Sequence, residues 1–562
     1  MKVRTCPLPV LQPIPQPKPR PIVGNLNDVD QDKGVFGLAE LAKEYGPLFR
    51  LEVLGNNLLI VTSQELVNEL CDETRFDKKL NRALLQVRDF AGDGLFTADT
   101  DEPNWGAAHR ILMPAFGPAA LHGMFDGMID IADQLLLKWE RQGPEHSIDI
   151  GGDATRLTLD TIALCSFSYR FNSMYSEQTH PFVGSMTRTL IESRARGQRL
   201  PLQTRLMLKT RHQYDEDKRV MYDVADQLIA DRRRHPLPEG QHDILDTMLT
   251  ATDPQTGERL SDENLRYQMV TFLIAGHETT SGLLTFTLYE LLRHPELLAK
   301  ARAHVDEVLG ERAPQFSDLA DLTYLDQVLK ESLRLWPTAP AFSLTPYEDT
   351  VIGGRFAIDA GQALLVVIPA LHRDPAVWGD DADSFDPDRF AFDRAQALPP
   401  NAWKPFGNGQ RSCIGRGFAL QEAVVFLAML LQRFDLSPVD PDYQLKIKQT
   451  LTIKPDELYM RARRRDTTIV SAPEAAKQSG GRQVAAAAAN GIPLRVLFGS
   501  NAGTSQAFAE RIAKTRSSAA TPPASTPSTA RRVPSRPTAP SSWSAPPTRG
   551  SRRTTPASSS PG

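Results

Sequence analysis

The sequence predicts a mainly α-helical domain with small β-sheets over residues 1–470, followed by a linker and an incomplete β-α fragment. Three observations carry this expectation. Apolar residues recur at three- and four-residue spacing through most of the first 470 positions. Two apolar runs flank a Gly-Asn-Asn turn near the start of that region. After Lys514 the composition collapses into Ser, Thr, Ala, Pro and Arg, with no Asp or Glu beyond Glu510.

With 41% apolar and 23% charged residues among 562, the chain can bury a large core, which excludes a small stapled scaffold or a wholly disordered protein. The 64 basic and 68 acidic residues leave a net charge of -4, which argues against generic nucleic-acid binding. Cysteines at Cys6, Cys71, Cys165 and Cys413 are too sparse for a disulfide framework and lack metal-finger spacing, so a reducing compartment is the simpler setting. Pro and charged residues repeatedly interrupt the N-terminal apolar residues. The expectation is a cytoplasmic protein with no signal peptide and no integral membrane segment.

Taken in order, residues 48–63 read as a hairpin turning at Gly55-Asn56-Asn57. Helical periodicity then predicts helices over 64–71, 104–113, 151–165, 213–234, 265–292, 295–309, 325–335 and 416–434. Residues 366–374 and the Pro/Asp-rich stretch to Phe390 break the pattern and read as buried loop. The linker, 471–492, has glycine breaks and an alanine run that is either helical or disordered. Residues 493–515 read as a strand, a small-residue turn and the start of a helix, too little for a domain. The 516–562 tail holds too little apolar material to offset chain-ordering entropy, and reads as disordered or as the product of an altered reading frame replacing a second domain.

The chemistry concentrates in PFGNGQRSCIGRGFAL, 405–420, where glycine-containing turns bring Cys413 to the start of an apolar-periodic helix. Glycines permit the tight turns, and the free N–H groups of the helix favour a thiolate. A thiolate there can bind a soft metal centre; haem iron accepts such an axial ligand, whose electron donation favours O–O cleavage. Taken alone, Cys413 reads as a buried, inert cysteine. IAGHETTSG, 274–282, places acidic and hydroxyl groups within a long apolar helix, where they need compensation. Alone it is a polar helix face with Thr279 bonding the preceding turn. Glu331 and Arg334 in ESLR lie three apart on one helical face, suited to a pair that Arg389 of FDPDRF can join.

Together these segments resemble the cytochrome P450 family, from the proline-rich N-terminal stretch to about Arg463. PFGNGQRSCIG matches the family's cysteine-loop pattern, which implies Cys413 as axial ligand of haem b, Arg411 at a haem propionate, Phe406 beside the sulfur, and Gly409 and Gly415 close to the macrocycle. AGHETT is similar to the oxygen-activation helix; Glu278 and Thr279 are implied to organise water and deliver protons, while Ala275 and Gly276 leave room above the iron. Glu331, Arg334 and Arg389 resemble the structural ion-pair network behind the haem.

RFDKKL, RDFAGDGLF, NWGAAHRILMPAFGP, LRLWPTAPAFSL and LHRD follow the order of the bacterial self-sufficient fatty-acid hydroxylases, in which a diflavin reductase follows on the same chain. On that resemblance Lys78 and Trp105 join Arg411 around the propionates, and His109 neighbours them without ligating iron. Phe96 matches an aromatic residue over the haem. Leu84, Ala91, Ala275, Ala339 and Leu451 match an apolar channel, although ordinary core packing is a rival for each. The channel mouth of that subgroup offers a basic residue and a tyrosine to a carboxylate, where this chain has Asn56 and Ile60.

The implied reaction is subterminal hydroxylation of medium- or long-chain fatty acids with dioxygen and electrons ultimately from NADPH. The departure at the mouth keeps alcohols, amides and other hydrophobic molecules open, and a non-catalytic haem-binding or sensor protein is the alternative from another class. GSNAGTSQAFAE, 499–510, resembles the flavodoxin phosphate loop, implying that Ser500, Asn501, Gly503, Thr504 and Ser505 cradle an FMN phosphate. The remaining flavodoxin pattern and the FAD and NADPH domains are lacking, so the chain is expected to bind haem but not FMN stably, and to draw electrons from an external or sister-chain reductase.

Overall fold

The computed structural model describes residues 11–466, except 22–23, 26, 31–32, 54, 177–179 and 200, together with the backbone of Leu494–Phe498 and Pro523–Pro527. The latter two segments pair as parallel strands, so the strand expected early in 493–515 is present. The linker, the phosphate loop at Ser500, Asn501, Gly503, Thr504 and Ser505, and the rest of the tail lie outside the described residues.

Helix α1 (Val35–Tyr45) leads into strands β1 (Leu48–Val53) and β2 (Asn56–Val61), which pair antiparallel. The hairpin is as expected, but its turn is tighter: Asn56 and Asn57 already pair with Val53 and Glu52. Then come α2 (Gln64–Leu70), β3 (Phe76–Lys78), α3 (Arg82–Ala91), α4 (Pro103–Leu112) and α5 (Pro118–Gln142). Helix α5 was not expected from the sequence. Its buried residues Leu121, Met124, Phe125, Met128, Ile131, Ala132, Leu135, Leu136 and Trp139 do follow helical spacing, but Gly123, Gly127 and several acidic residues dilute the pattern.

Strand β4 (Ile148–Asp149) precedes α6 (Ile150–Phe167), then α7 (Pro181–Gln198), α8 (Pro201–Leu206), α9 (Leu208–Arg234), α10 (Ile244–Thr250), α11 (Asp262–Arg293), α12 (Pro295–Leu309) and α13 (Thr323–Leu335). Side-chain caps start several of them: Asn81 accepts the Leu84 N–H at 3.0 Å, Asp149 that of Gly152 at 3.0 Å, and Ser261 that of Asn264 at 3.1 Å. Helix α11 is buried almost all round, which makes it the central helix of the domain. Among the described residues no helix is long and apolar enough to cross a membrane.

Strands β5 (Ala341–Pro346), β6 (Thr350–Ile352), β7 (Phe356–Ile358) and β8 (Leu364–Val367) follow. The main sheet runs β1-β2-β8-β5-β3. This corrects the loop expected at 366–374: β8 is an inner strand whose Leu364 and Val366 pack in one apolar cluster and Leu365 and Val367 in another, so its run has no polar face to alternate with. It passes directly into a helical turn, α14 (Ile368–Leu371), and two further short helices, α15 (Pro375–Trp378) and a 3-10 turn at Pro387–Phe390, interrupt the Pro/Asp-rich stretch. After α16 (Phe392–Gln396) come the cysteine loop, α17 (Arg416–Arg433), β9 (Phe434–Pro438), the paired strands β10 (Ile447–Gln449) and β11 (Ile453–Pro455), and β12 (Tyr459–Arg464).

The helical core holds an uncompensated acid. Glu422 on α17 is buried and neither carboxylate oxygen has a hydrogen-bond partner; the nearby Thr161 hydroxyl donates instead to the Leu157 carbonyl at 2.9 Å. Burial pushes the Glu422 carboxyl up to about 8, from an ordinary 4.5, against the opposing effect of Thr161. The folded state therefore retains a proton that the unfolded chain loses earlier, so stability is full below about pH 4.5 and falls as pH rises toward 8, by on the order of 5 kcal/mol. Glu422→Gln is expected to match the parent's thermal stability at acid pH and exceed it at pH 8–9. Parallel Tm curves for the two proteins across pH 4–9 would contradict this.

Candidate functional site

The cysteine loop is clamped by contacts within the protein. The Cys413 N–H donates to the Phe406 carbonyl at 2.8 Å, and the Arg416 N–H returns to the Cys413 carbonyl at 3.4 Å as α17 starts. Gly409 adopts φ 53°, and a Cβ there would lie 2.0 Å from the Glu73 carboxylate. That carboxylate accepts the Gln410 N–H at 2.7 Å. Asn408 donates to the Cys71 carbonyl at 3.2 Å, so the end of α2 holds the loop from outside. Gly409 is thus required by its conformation and by Glu73. Gly415 has ordinary contact only with the Phe116 ring, 3.7 Å from an added Cβ.

Cys413 itself is exposed. Surrounding protein pushes its thiol up, against the pull of the Gly415 N–H and the Arg416 charge. Phe406 is half-buried between Trp403, at 6.0 Å between ring centres, and the Arg416 guanidinium, at 5.4 Å. Phe116, next to Gly415, packs on Phe272 of α11 at 5.6 Å, which brings the loop beneath that helix.

Along α11, Ala275 is exposed and Thr279 half-buried although their helix is otherwise almost wholly buried. They lie one turn apart and so share one side of the helix. Thr279 Oγ1 donates to the Ala275 carbonyl at 2.8 Å. Gly276 plays another part than expected: a Cβ there would meet Ile162 of α6 at 2.6 Å, so its bareness permits close packing of α6 on α11.

Glu278 is buried and turned toward the β10–β11 hairpin. Its Oε1 accepts from the Thr450 and Thr452 hydroxyls, each at 3.2 Å, and its Oε2 lies 3.6 Å from Lys454 Nζ and 3.6 Å from His277 Nε2. Burial raises the carboxyl's proton affinity, but Lys454, His277 and the two hydroxyls outweigh it and hold Glu278 down at about 2.

The residues expected to line an apolar channel differ in exposure. Ala339 is exposed, like Ala275, between the buried neighbours Thr338 and Pro340. Phe96 and Leu451 are half-buried. Leu84 and Ala91 are buried on α3, Ala91 within the main helical core. Ile60 is a correction: it is 0% exposed and packs with Val35, Phe49, Leu51 and Val367 between the sheet and α1. Its strand alternation sends it to the covered face. Asn56 is exposed at the hairpin turn and donates to the Val53 carbonyl at 3.4 Å.

Lys78, Trp105 and Arg411 do converge. Arg411 stands 4.5 Å over the Trp105 ring and donates to Thr100 Oγ1 at 2.8 Å and the Ala98 carbonyl at 2.6 Å. Lys78 Nζ donates to the Phe96 carbonyl at 2.6 Å. His109 stacks on Trp105 at 5.0 Å. Burial, then repulsion from Arg411, depresses Lys78 to about 7; burial depresses Arg411 to about 10. Asp77 and Asp99 act on both cations without pairing with either. Two crowded, desolvated cations without a carboxylate in contact suit a bound dianion, and an exposed cysteine beside them suits a soft metal. The residues present therefore fit haem b, with its two propionates and its iron.

Behind the loop, Glu331 and Arg334 are completely buried and joined by two 2.7 Å bonds. Arg334 also donates to the carbonyls of His372, Ala382 and Ser384. Arg389 lies 3.6 Å from Glu331 and donates to the Trp378 and Asp381 carbonyls. Sequence reasoning missed His372. It donates from Nδ1 to the Arg334 carbonyl at 3.1 Å and accepts the Lys404 N–H on Nε2 at 2.8 Å, joining the ion-pair network to the cysteine loop. Burial pushes this imidazole down to about 3, keeping it neutral. The LHRD motif contains it, but no local feature distinguishes a bridging histidine from a surface one.

A sequence model of the family described as "Cytochrome P450" matches residues 14–461. The chain is 48% identical over 515 residues to the bifunctional cytochrome P450/NADPH–P450 reductase 1 of Bacillus subtilis, an alignment covering 90% of this chain and 48% of that protein. It is 48% identical over 516 residues to the bifunctional cytochrome P450/NADPH–P450 reductase of Bacillus cereus, covering 90% and 48%. A self-sufficient cytochrome P450 monooxygenase of Phanerodontia chrysosporium is 47% identical over 511 residues, covering 89% and 48%. The chain thus spans about half the length of these relatives.

Proposed function

This chain belongs to the cytochrome P450 family of haem-thiolate monooxygenases, and on that premise we propose that it hydroxylates medium- or long-chain fatty acids at subterminal carbons. The observation that supports the reading is the exposure of Cys413 in its loop together with that of Ala275, and in part Thr279, on the otherwise buried α11. Cys413 would hold the iron, with Lys78 and Arg411 neutralising the propionates and Trp105 walling them from water. When bound, haem supplies reductive activation of dioxygen and oxygen insertion into a C–H bond, with the thiolate donating electron density.

The chain's own groups do the rest. Thr279 Oγ1 spends its proton on the Ala275 carbonyl, which leaves its lone pairs to hold a water. Glu278 is the acid that replenishes protons there once its carboxylate leaves the hairpin hydroxyls. Phe96, Ala275, Ala339 and Leu451 exclude water and place an aliphatic chain, whose removal from solvent supplies the binding free energy. Electrons come from NADPH through a diflavin reductase, as a separate protein or a sister chain.

A second reading concerns the substrate head group. Ile60 is in the sheet core and Asn56 carries no charge, so the mouth offers no cation at these positions; this favours alcohols or amides over carboxylates. Reconstitution with a competent reductase and a panel of fatty acids, alcohols and amides, with product positions read by mass spectrometry, tests both. Subterminal hydroxy acids are the expected products. A product spectrum confined to neutral head groups would select the second reading, and absence of product with every lipid-like substrate would overturn the substrate class.

A further inference from the structure

We propose that Arg194 anchors the carboxylate of the substrate: its guanidinium, near the end of α7 and against the β10–β11 hairpin, pairs with the head group of a fatty acid whose chain runs past Leu451. The anchor rests on the reading of fatty acids as substrates, and it supplies the cation that Asn56 does not. Arg194 is half-buried and donates from Nη1 to the Gln449 carbonyl of β10. Among the described residues this carbonyl is its one hydrogen-bond acceptor, and no carboxylate pairs with it. The neighbouring arginines are matched: Arg188 with Asp217, and Arg196 and Arg199 with Glu192. Burial pushes the Arg194 guanidinium down with nothing acidic to offset it. With Nη1 on the carbonyl, the Nε–Nη2 edge is left as a fork that fits both oxygens of a carboxylate.

The hairpin joins this cation to the residues assigned to the aliphatic chain. Leu451 stands two positions after Gln449, half-buried in the turn between β10 and β11. On either side of it Thr450 and Thr452 bond Glu278 of α11, the neighbour of Thr279. The Ile453 N–H donates to the Thr338 carbonyl at 3.0 Å, next to the exposed Ala339. One fixed turn thus meets Arg194 on its first strand, α11 at its tip and the segment of Ala339 on its second strand. A head group held by Arg194 therefore lays its chain along Leu451 toward α11. The chemistry also separates head groups. A carboxylate leaving water needs a counter-charge, whereas an alcohol of the same length needs only a hydrogen bond. Tethering one end of the chain also limits which carbons reach the oxidising centre.

Titration of the haem-loaded full chain with hexadecanoic acid and with hexadecan-1-ol, followed by the change each causes in haem absorption, tests this. In Arg194→Met, and in Arg194→Gln should the methionine variant not retain haem, the ratio of the acid's dissociation constant to the alcohol's is expected to rise about tenfold or more. Arg194→Lys is expected to keep that ratio within about threefold of the parent, since the charge remains although the fork is lost. A purely structural role would weaken both ligands alike, so an unchanged ratio in the neutral variants would overturn the anchor. The substrate reading is judged on the parent protein. If the parent responds to the alcohol alone or to neither ligand, that reading falls and the anchor with it, whereas a parent that binds the acid no better than its neutral variants do loses the anchor only.

Discussion

Arg334→Met is expected to yield a protein that unfolds at markedly lower denaturant and does not retain haem. The guanidinium satisfies both oxygens of Glu331 and three backbone carbonyls, all away from water. Without it, Glu331 keeps only the Asp386 N–H at 2.9 Å and Arg389 at 3.6 Å. Breaking a buried pair from one side costs about 3–5 kcal/mol, a large share of the roughly 5–15 kcal/mol that stabilises a folded domain. Lys300→Met provides the contrast. It removes a pair with Asp388 in which both side chains are about half exposed, and such pairs contribute about 1 kcal/mol or less. Urea midpoints and haem content of the two variants read the difference, and an Arg334→Met protein as stable as Lys300→Met would refute the buried-network account.

Cys413→Ser is expected to behave oppositely, keeping the fold and losing the chemistry. The loop is held by the Cys413 N–H on the Phe406 carbonyl, by Gly409 against Glu73 and by Asn408 on Cys71, none of which uses the thiol. The exposed side chain contributes little to stability, so the unfolding midpoint should stay within about 0.5 kcal/mol of the parent. The thiolate-type absorption of the reduced carbon monoxide complex should vanish. Hydroxylation supported by an added reductase should fall by on the order of 10³-fold, equivalent to about 4 kcal/mol of barrier. Retention of the thiolate-type spectrum would show that another group ligates the iron.

What was legible in the sequence was what local pattern encodes. Helix α12 has the expected bounds, and α11 and α17 extend within three residues of theirs, because caps, charges and apolar spacing act within a turn or two. The pairing of Glu331 with Arg334 was readable from their separation on one helix. Helix α5 went unseen because two glycines weakened a periodicity that tertiary burial then enforced. Strand β8 read as loop because a run with apolar residues on both faces has no alternation to detect.

The roles assigned within motifs diverge in the same way. The sequence carried the resemblance that implies the haem-binding class: a cysteine after glycine turns, an acid and hydroxyl in an apolar helix, and an arginine three residues after a glutamate. Only the three-dimensional packing decided that Gly276 admits α6, that Ile60 belongs to the sheet core, that His372 joins the ion pairs to the cysteine loop, and that Glu278 is held by Lys454. The reason is range. A motif records neighbours along the chain, whereas Lys454 stands 176 positions after Glu278 and Ile162 114 before Gly276, distances closed only when burial of the shared core brings their elements into contact.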